Sequence, residues 1–572
     1  MLKILLHKAT KSFKFHISIV PFFLLIESLT TVLVPFFISD LINYGVLKND
    51  SEALLKYSLI LLAIAIVGFI SGYIGGRSIT IASVEFAKQL RSNIFERYQQ
   101  FSLKNTDKFD KSSILTRITT DINYIQVAIT AFRMAIRGIS VFLFSFILMF
   151  TTSWKLGLAS LVVIPIILLG IMIVYRLVIP DYKRIFKQYD ELNKLTKESI
   201  SGMRVVKSYN QQNNEIEKFN KVANYIFKNF YKIERISSLI QPIVQLCIYM
   251  LSIAIAWFGT QDILAGSLNI GDLTSVLAYA FQMLINLMLL TFVYVTIITA
   301  KPSKDRVIEL LTEKIDIKDH EDAINVLDDY DVEFKNVSFK YIDDNPHYNL
   351  ENINIKIKKG QTIGIIGPTG SGKTSIVNLL LRLYEPNIGE VLIGNKPVNQ
   401  YALKTLRNTI GVVPQKNILY SGSIKENIIM GNENYTQDDI NKAINQAQAS
   451  EFINKLPNNI ESIVEQNGAN FSGGQRQRIC IARAMIKKPK ILIFDDSTSA
   501  LDTRTDALIQ QSFNNDFKDA SKILISQRIS TIQNADWIYV FNNGQIVNSG
   551  THEQLIRESE LYREINQSQM EQ

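Results

Sequence analysis

Residues 363–380 read Ile363-Gly364-Ile365-Ile366-Gly367-Pro368-Thr369-Gly370-Ser371-Gly372-Lys373-Thr374-Ser375-Ile376-Val377-Asn378-Leu379-Leu380, and their order decides the fold of the second half of the chain. The apolar run 363–366 predicts a buried strand, and the run from Ser375 predicts a helix. Between them lies G-x-x-x-x-G-K-T, a phosphate-binding loop with strand and helix where the chemistry needs them. The glycines let backbone N–H groups close around phosphate oxygens. Lys373 is suited to reach β- and γ-phosphates, Thr374 to ligate Mg²⁺, and the helix N-terminus adds its dipole. A chance glycine-rich turn would lack those flanking elements.

A second apolar strand is predicted over 491–494 and ends in Asp495, a carboxylate suited to hold Mg²⁺ opposite Thr374. The plainer reading, an aspartate that caps the next turn, leaves the phosphate loop without its usual metal partner. Upstream of this strand, Ser472-Gly473-Gly474-Gln475-Arg476-Gln477-Arg478 leads into a helical run. Working outward, short β-rich runs begin near Asp331, a polar linker covers 311–330, and everything before it has a different character.

The chain has 572 residues, too many for one core, and its 47% apolar content crowds into the first half. Six apolar stretches, 17–38, 55–79, 134–152, 156–179, 239–258 and 273–299, approach or exceed the length that spans a bilayer. Lys and Arg number 61 against 53 acids, for a formal charge of +8. The basic residues collect between apolar stretches, which favours the positive-inside pattern over nucleic-acid binding. Lys3, Lys8, Lys11 and Lys14 mark the N-terminus. Lys88, Arg91, Arg97 and Lys104 mark the connection after the second stretch, and Lys183, Arg184, Lys187 and Lys194 that after the fourth, whereas 261–272 holds no Lys or Arg. Both termini and both long connections are therefore expected on the cytoplasmic side, the connections as helices continuing out of the membrane. No cleaved signal is read at the N-terminus. The two cysteines, Cys247 and Cys480, fall in different halves and indicate no disulfide framework. Glu27, inside the first stretch, is costly in hydrocarbon. It is expected either to contact a substrate, one of cationic character, or to pair with a base such as Arg77.

Ser-Gly-Gly-Gln before a basic helix resembles the signature of ATP-binding cassette (ABC) transporters. Other family elements follow in order. Tyr341 resembles the aromatic that stacks on adenine, Gln415 the glutamine that senses Mg²⁺ and contacts the membrane half, and Ser499-Ala500-Leu501-Asp502 the D-loop. The six stretches, LTRITTDINYIQ (115–126) and GMRVVKSYNQQ (202–212) extend the resemblance over nearly the whole chain, to a type IV exporter half-transporter. It implies a multidomain membrane protein. An all-α domain of six transmembrane helices with long cytoplasmic extensions (1–310) and a linker (311–330) precede an α/β P-loop ATP-binding cassette (331–572). It also implies ATP and Mg²⁺ as cofactors, with Thr374, Gln415 and Asp495 at the metal. Two cassettes stack head to tail, each nucleotide lying between the phosphate loop of one and the signature, Ser472 to Gln475, of the other. Two chains are then required.

The chain departs from the family at two catalytic positions. Asp496 stands where the family has a glutamate base, which shortens the side chain by about 1.5 Å, one C–C bond. Gln527 stands where it has a switch histidine, and none of His7, His16, His320, His347 and His552 can fill that position. Glutamine can hydrogen-bond a phosphate but carries no imidazolium charge. Phe471 replaces a usual leucine, and Gln466-Asn467-Gly468 lacks a frequent acid. The two catalytic changes resemble the degenerate-site subunit of heterodimeric exporters, whose own site mainly binds ATP. A homodimer with Asp496 as a slow base is the alternative, and an ATP-gated channel another. A soluble mechanical ATPase is disfavoured by the six stretches, and import by the fusion of both halves. The absence of a protease-like segment before the first stretch weakens a leader-cleaving reading. The expected partners are a different half-transporter with intact Glu and His, membrane lipids and a small hydrophobic substrate, in the plasma membrane, with no nucleic acid.

Overall fold

The computed structural model describes residues 11–109, 111–496 and 501–570, so Lys3, His7, Lys8, Ser499 and Ala500 lie outside the described residues. The chain divides into two compact units, Met1–Arg97 with Ser112–Thr312, and Tyr98–Lys111 with Glu313–Gln572.

The first unit is helical because apolar segments in a bilayer must satisfy every backbone group internally. Its helices are α1 (Lys11–Asp40) and α2 (Ser51–Gln99), then, past the short helix α3 (Leu103–Lys108) of the second unit, α4 (Ile122–Thr152), α5 (Trp154–Ser201), α6 (Gln212–Ser237), α7 (Ile240–Leu264) and α8 (Ile270–Thr312). Six helical stretches among the described residues are long and apolar enough to cross a membrane. The connections are helical as expected: α2 runs for 49 residues and α5 for 48, roughly 70 Å each at about 1.5 Å per residue. Val141, Ile248, Tyr279 and Met283 sit in a buried apolar cluster shared by the spans.

Among the carboxylates of this unit that pair across helices, Asp121 and Glu27 are each met by arginine from another helix. Asp121 closes the π-helical turn Arg117–Asp121 and is fully buried. Its Oδ1 accepts from Ser303 Oγ (2.8 Å) and its Oδ2 from Arg306 Nε (2.8 Å), and Arg306 Nη2 adds a third bond to Oδ1. Arg117 donates to the Arg306 carbonyl (2.6 Å) and to Glu309 (2.9 Å). Glu27 meets Arg137 (3.1 Å) and Arg133 (3.7 Å) of α4. This corrects the expectation of Arg77: the bases that reach Glu27 come from a different span, one that sequence spacing does not bring near it.

The second unit contains β1 (Val332–Phe339), β2 (Leu350–Ile357), β3 (Thr362–Ile366), β4 (Ile388–Ile393), β5 (Lys396–Pro397) and β6 (Ile410–Val413), then β7 (Gly422–Ser423), β8 (Ile463–Val464), β9 (Ile491–Asp495), β10 (Ser521–Ile525), β11 (Trp537–Asn542) and β12 (Gln545–Gly550). One sheet has the order β2-β1-β4-β5, and the main sheet β12-β11-β3-β10-β9-β6. In the main sheet β11, β3, β10, β9 and β6 are parallel and β12 is antiparallel. Parallel strands covered on both faces read as continuous apolar runs, which is why 363–366 and 491–494 were legible. Helices α9 (Lys373–Leu380), α10 (Gly473–Met485) and α11 (Thr503–Asp516) belong to this unit. So does α3: Lys104 pairs with Asp343 (2.7 Å), Asn105 Nδ2 donates to the Lys314 carbonyl (2.9 Å), and the buried Tyr384 hydroxyl donates to Asp107.

Candidate nucleotide site

Four predicted groups follow the carboxyl ends of parallel strands, where ligands bind in open α/β sheets. The phosphate loop follows β3, Gln415 follows β6, Asp495 closes β9 with Asp496 just beyond it, and Gln527 follows β10. Together they line one cavity of about 650 Å³, with Tyr341, Thr369, Gly370, Gly372, Lys373, Thr374 and Ser375, a volume within the range of small-molecule sites.

The loop's backbone requires its glycines. Gly372 has φ +99°, and a Cβ there would meet the Asn349 carbonyl oxygen at 2.9 Å; one on Gly367 would meet that of Phe541 at 2.2 Å. Gly372 is the N-cap of α9, so the first free N–H groups of that helix open onto the loop. Lys373 is 8% exposed, and its Nζ donates to the carbonyls of Gly367 (2.8 Å) and Pro368 (2.7 Å). Burial pulls its pKa down, against the opposing pull of Asp496 and Asp495.

Asp495 is buried and accepts from Thr374 Oγ1 at 3.3 Å. Burial raises its pKa and the neighbouring Asp496 raises it further, while the Thr374 bond and Lys373 lower it. A carboxylate and a hydroxyl so placed are hard oxygen donors of the kind Mg²⁺ takes together with substrate phosphates. Asp496 sits at φ +45°, in the left-handed region that aspartate tolerates better than most residues. Its Oδ2 accepts from Gln527 Nε2 (3.2 Å) and from Gln415 Nε2 (3.4 Å). Tyr341 packs edge-on against Phe339 and Tyr384, and its hydroxyl is engaged by Ser375 Oγ (2.9 Å) and Asn378 Nδ2 (3.1 Å).

The remaining predicted residues are not brought to this cavity. Ser472 is the N-cap of α10: its Oγ accepts from Gln475 N (3.3 Å) while Gln475 Oε1 accepts from Ser472 N (2.9 Å). This reciprocal box leaves Gly473, exposed, and Gly474, half-buried, in the first turn, where backbone N–H groups lack intrahelical acceptors. Asp502 caps α11 through Thr505 N (2.9 Å) and Thr505 Oγ1 (2.7 Å), bonds that hold its carboxyl below the usual range. Sequence reasoning missed His347, Tyr348, Asn349, Glu351, Asn543 and Gly544, which also line the cavity. Asn543-Gly544, both at positive φ, form the β11–β12 turn, so the Asn-Gly hairpin signal would have located that edge.

Residues 17–288 match the family model described as "ABC transporter transmembrane region", and residues 350–499 match the one described as "ABC transporter". The "Uncharacterized ABC transporter ATP-binding protein YfiB" of Bacillus subtilis is 32% identical over 547 residues, covering 96% of this chain and 95% of that protein. The "Probable multidrug resistance ABC transporter ATP-binding/permease protein YheI" of the same organism is 30% identical, covering 90% of this chain and 88% of that protein. Among solved structures, a "bacterial Atm1-family ABC exporter with ATP bound" superposes with a TM-score of 0.81 at 24% identity, over 97% of this chain and 98% of the other. That likeness is one of fold. With a phosphate loop, a signature-bearing helix and six candidate spans in one polypeptide, the chain belongs to the ABC transporter family, as a membrane-spanning half-transporter of exporter fold whose cassette is a transport ATPase.

Proposed function

We propose that the chain is one subunit of a heterodimeric exporter in the plasma membrane, with both termini and the cassette in the cytoplasm. Its parts are a membrane domain over 1–310, a linker over 311–330 and a cassette over 331–572. Its own site holds ATP through residues 367–375 and Tyr341, with Mg²⁺ at Thr374, Gln415 and Asp495. Its Ser472 to Gln475, with Asp502, complete the site of a partner that carries the usual Glu and His. The cargo is hydrophobic or amphipathic, a reading supported by the multidrug description of the relative YheI.

One observation carries the asymmetry. Asp496 Oδ2 receives N–H groups from both Gln415 and Gln527. A general base must offer a lone pair to the attacking water within hydrogen-bond reach. Here a short carboxylate has one oxygen engaged by two amides, and the residue at the switch position is one of the donors. Neutral glutamine also supplies none of the charge an imidazolium would add at the γ-phosphate. The signature, with first-turn N–H groups that lack intrahelical acceptors and lie away from this chain's cavity, suits a second cassette. The retained carboxyl of Asp496 favours, as a second reading, a homodimer hydrolysing slowly at two like sites.

The test is ATPase activity of the purified complex. Asp496→Asn is expected to change turnover less than about threefold. Substituting the partner's base is expected to lower it by 10² or more, the scale on which positioned bases act. Equal losses from the two substitutions, or fast turnover by this chain alone, would end the asymmetric reading.

A further inference from the structure

Charge balance inside the membrane domain points to a ligand class. Glu27 lies in the apolar stretch of α1, and a lone carboxylate there suits a cation. In the structure that carboxylate faces two guanidinium groups, Arg137 at 3.1 Å and Arg133 at 3.7 Å. Arginine stays protonated, so two fixed positive charges meet one carboxylate and the cluster has the opposite sign to the one Glu27 alone suggests.

The cluster is also short of acceptors. Arg133 Nη2 donates to the Gly72 carbonyl at 3.3 Å, the one hydrogen bond made by either guanidinium among the described residues. The Arg137 Nε–Glu27 contact is ionic but too poorly aligned to be a hydrogen bond, and Glu27 Oε2 is likewise left without one. Two guanidiniums carry ten N–H bonds between them. Burial differs in the same sense: the Glu27 side chain is 15% exposed, those of Arg133 and Arg137 are 35% and 36% exposed. The arginines therefore present unused donors outward from a recessed carboxylate. Charged side chains within spans face a polar cavity or a partner rather than acyl chains.

The neighbouring helix is shaped for this arrangement. A Cβ on Gly76 of α2 would come within 2.6 Å of Arg133 Nη1, and one on Gly72 within 3.2 Å of Glu27 Cδ. Bare backbone at these two positions is what lets the guanidinium lie against α2 and take the Gly72 carbonyl.

We propose that Arg133 and Arg137, backed by Glu27 and seated against Gly72 and Gly76, recognise the phosphate or carboxylate headgroup of an amphipathic anion. Planar guanidinium forks match both oxyanions bidentately. Glu27 orients the pair and keeps its affinity low enough for release, and the apolar spans take the tail. This deepens the cargo class proposed above and rests on the membrane domain being a transport path. It does not depend on how ATP is hydrolysed.

The experiment is equilibrium binding of radiolabelled dodecyl phosphate to the full-length protein in phosphatidylcholine nanodiscs without nucleotide. The double variant Arg133→Gln/Arg137→Gln is expected to weaken binding about tenfold or more, the loss of a bidentate charge-assisted contact. Glu27→Gln, which removes the competing anion, is expected to tighten it roughly threefold. Binding of dodecyltrimethylammonium should follow neither change. Phosphatidylglycerol in the discs separates the two sources of the headgroup: displacement of the probe identifies a bilayer lipid, and no displacement identifies a single-chain amphiphile. Unaltered dodecyl phosphate affinity in the double variant would reduce the cluster to an ion pair holding α1 to α4 and overturn the proposal. If the double variant does not fold, Glu27→Gln decides alone, and unchanged or weakened affinity overturns it. Because no nucleotide is present, failure here leaves the asymmetric-ATPase reading intact, and fast turnover by the isolated chain leaves this one intact.

Discussion

Two carboxylate–arginine clusters of the membrane domain, around Asp121 and around Glu27, are built in opposite ways. Around Asp121 the acceptor is fully buried and saturated: Ser303 and two nitrogens of Arg306 converge on it, and Arg117 closes the far side through the Arg306 carbonyl and Glu309. Around Glu27 the positive groups outnumber the negative one, are more exposed than it, and among the described residues share a single hydrogen bond. A buried pair is worth keeping only when its remaining donors and acceptors are satisfied. The first cluster meets that condition from within the chain, joining the start of α4 to the end of α8. The second does not. Saturation, more than the presence of charge, separates a clamp from a site that awaits a ligand.

Stability measurements can break or sharpen that contrast. The largest effect is expected from Asp121→Ala, which strands Arg306 and Ser303. Breaking a buried pair costs about 3–5 kcal/mol, and because the Arg306 side chain is 45% exposed and regains water, about 2–3 kcal/mol is expected here in denaturant titration. Arg306→Lys keeps the charge but loses the fork geometry, and a loss of about 1 kcal/mol is expected by the same method. The smallest effect belongs to Glu27→Gln, below about 1 kcal/mol, since its two ionic contacts are not aligned as hydrogen bonds. A Glu27→Gln penalty equal to that of Asp121→Ala would erase the distinction between the two clusters.

The same contrast explains what the sequence disclosed. The phosphate loop, Asp495 and the signature were legible because each is a local pattern with a local cause: a strand buried on both faces, a glycine at positive φ, a Ser-x-x-Gln box capping a helix. The six spans were legible from length and apolarity alone. The ion pairs were not. Asp121 and Arg306 are 185 positions apart, and nothing in LTRITTDINYIQ names the arginine it will meet. Glu27 was visible as an anomaly, but its partners lie two spans later in the chain, so Arg77 was the nearest candidate and not the one the fold supplies. In the cassette, Asn349 and Asn543 reach the cavity only because β2 and the β11–β12 turn pass beside the phosphate loop. That proximity belongs to tertiary topology.

The tie between Asp107 and Tyr384 carries a consequence in time. The two residues are 277 positions apart, yet they belong to one compact unit. At ribosomal speeds of about 5–20 residues per second, Asp107 emerges roughly 15–55 s before the tyrosine it will bind exists. During that interval the segment 98–111 has no cassette to fold against, and four of the candidate spans are still to be made. A stall in translation between positions 107 and 384 would lengthen its exposure to proteases and chaperones.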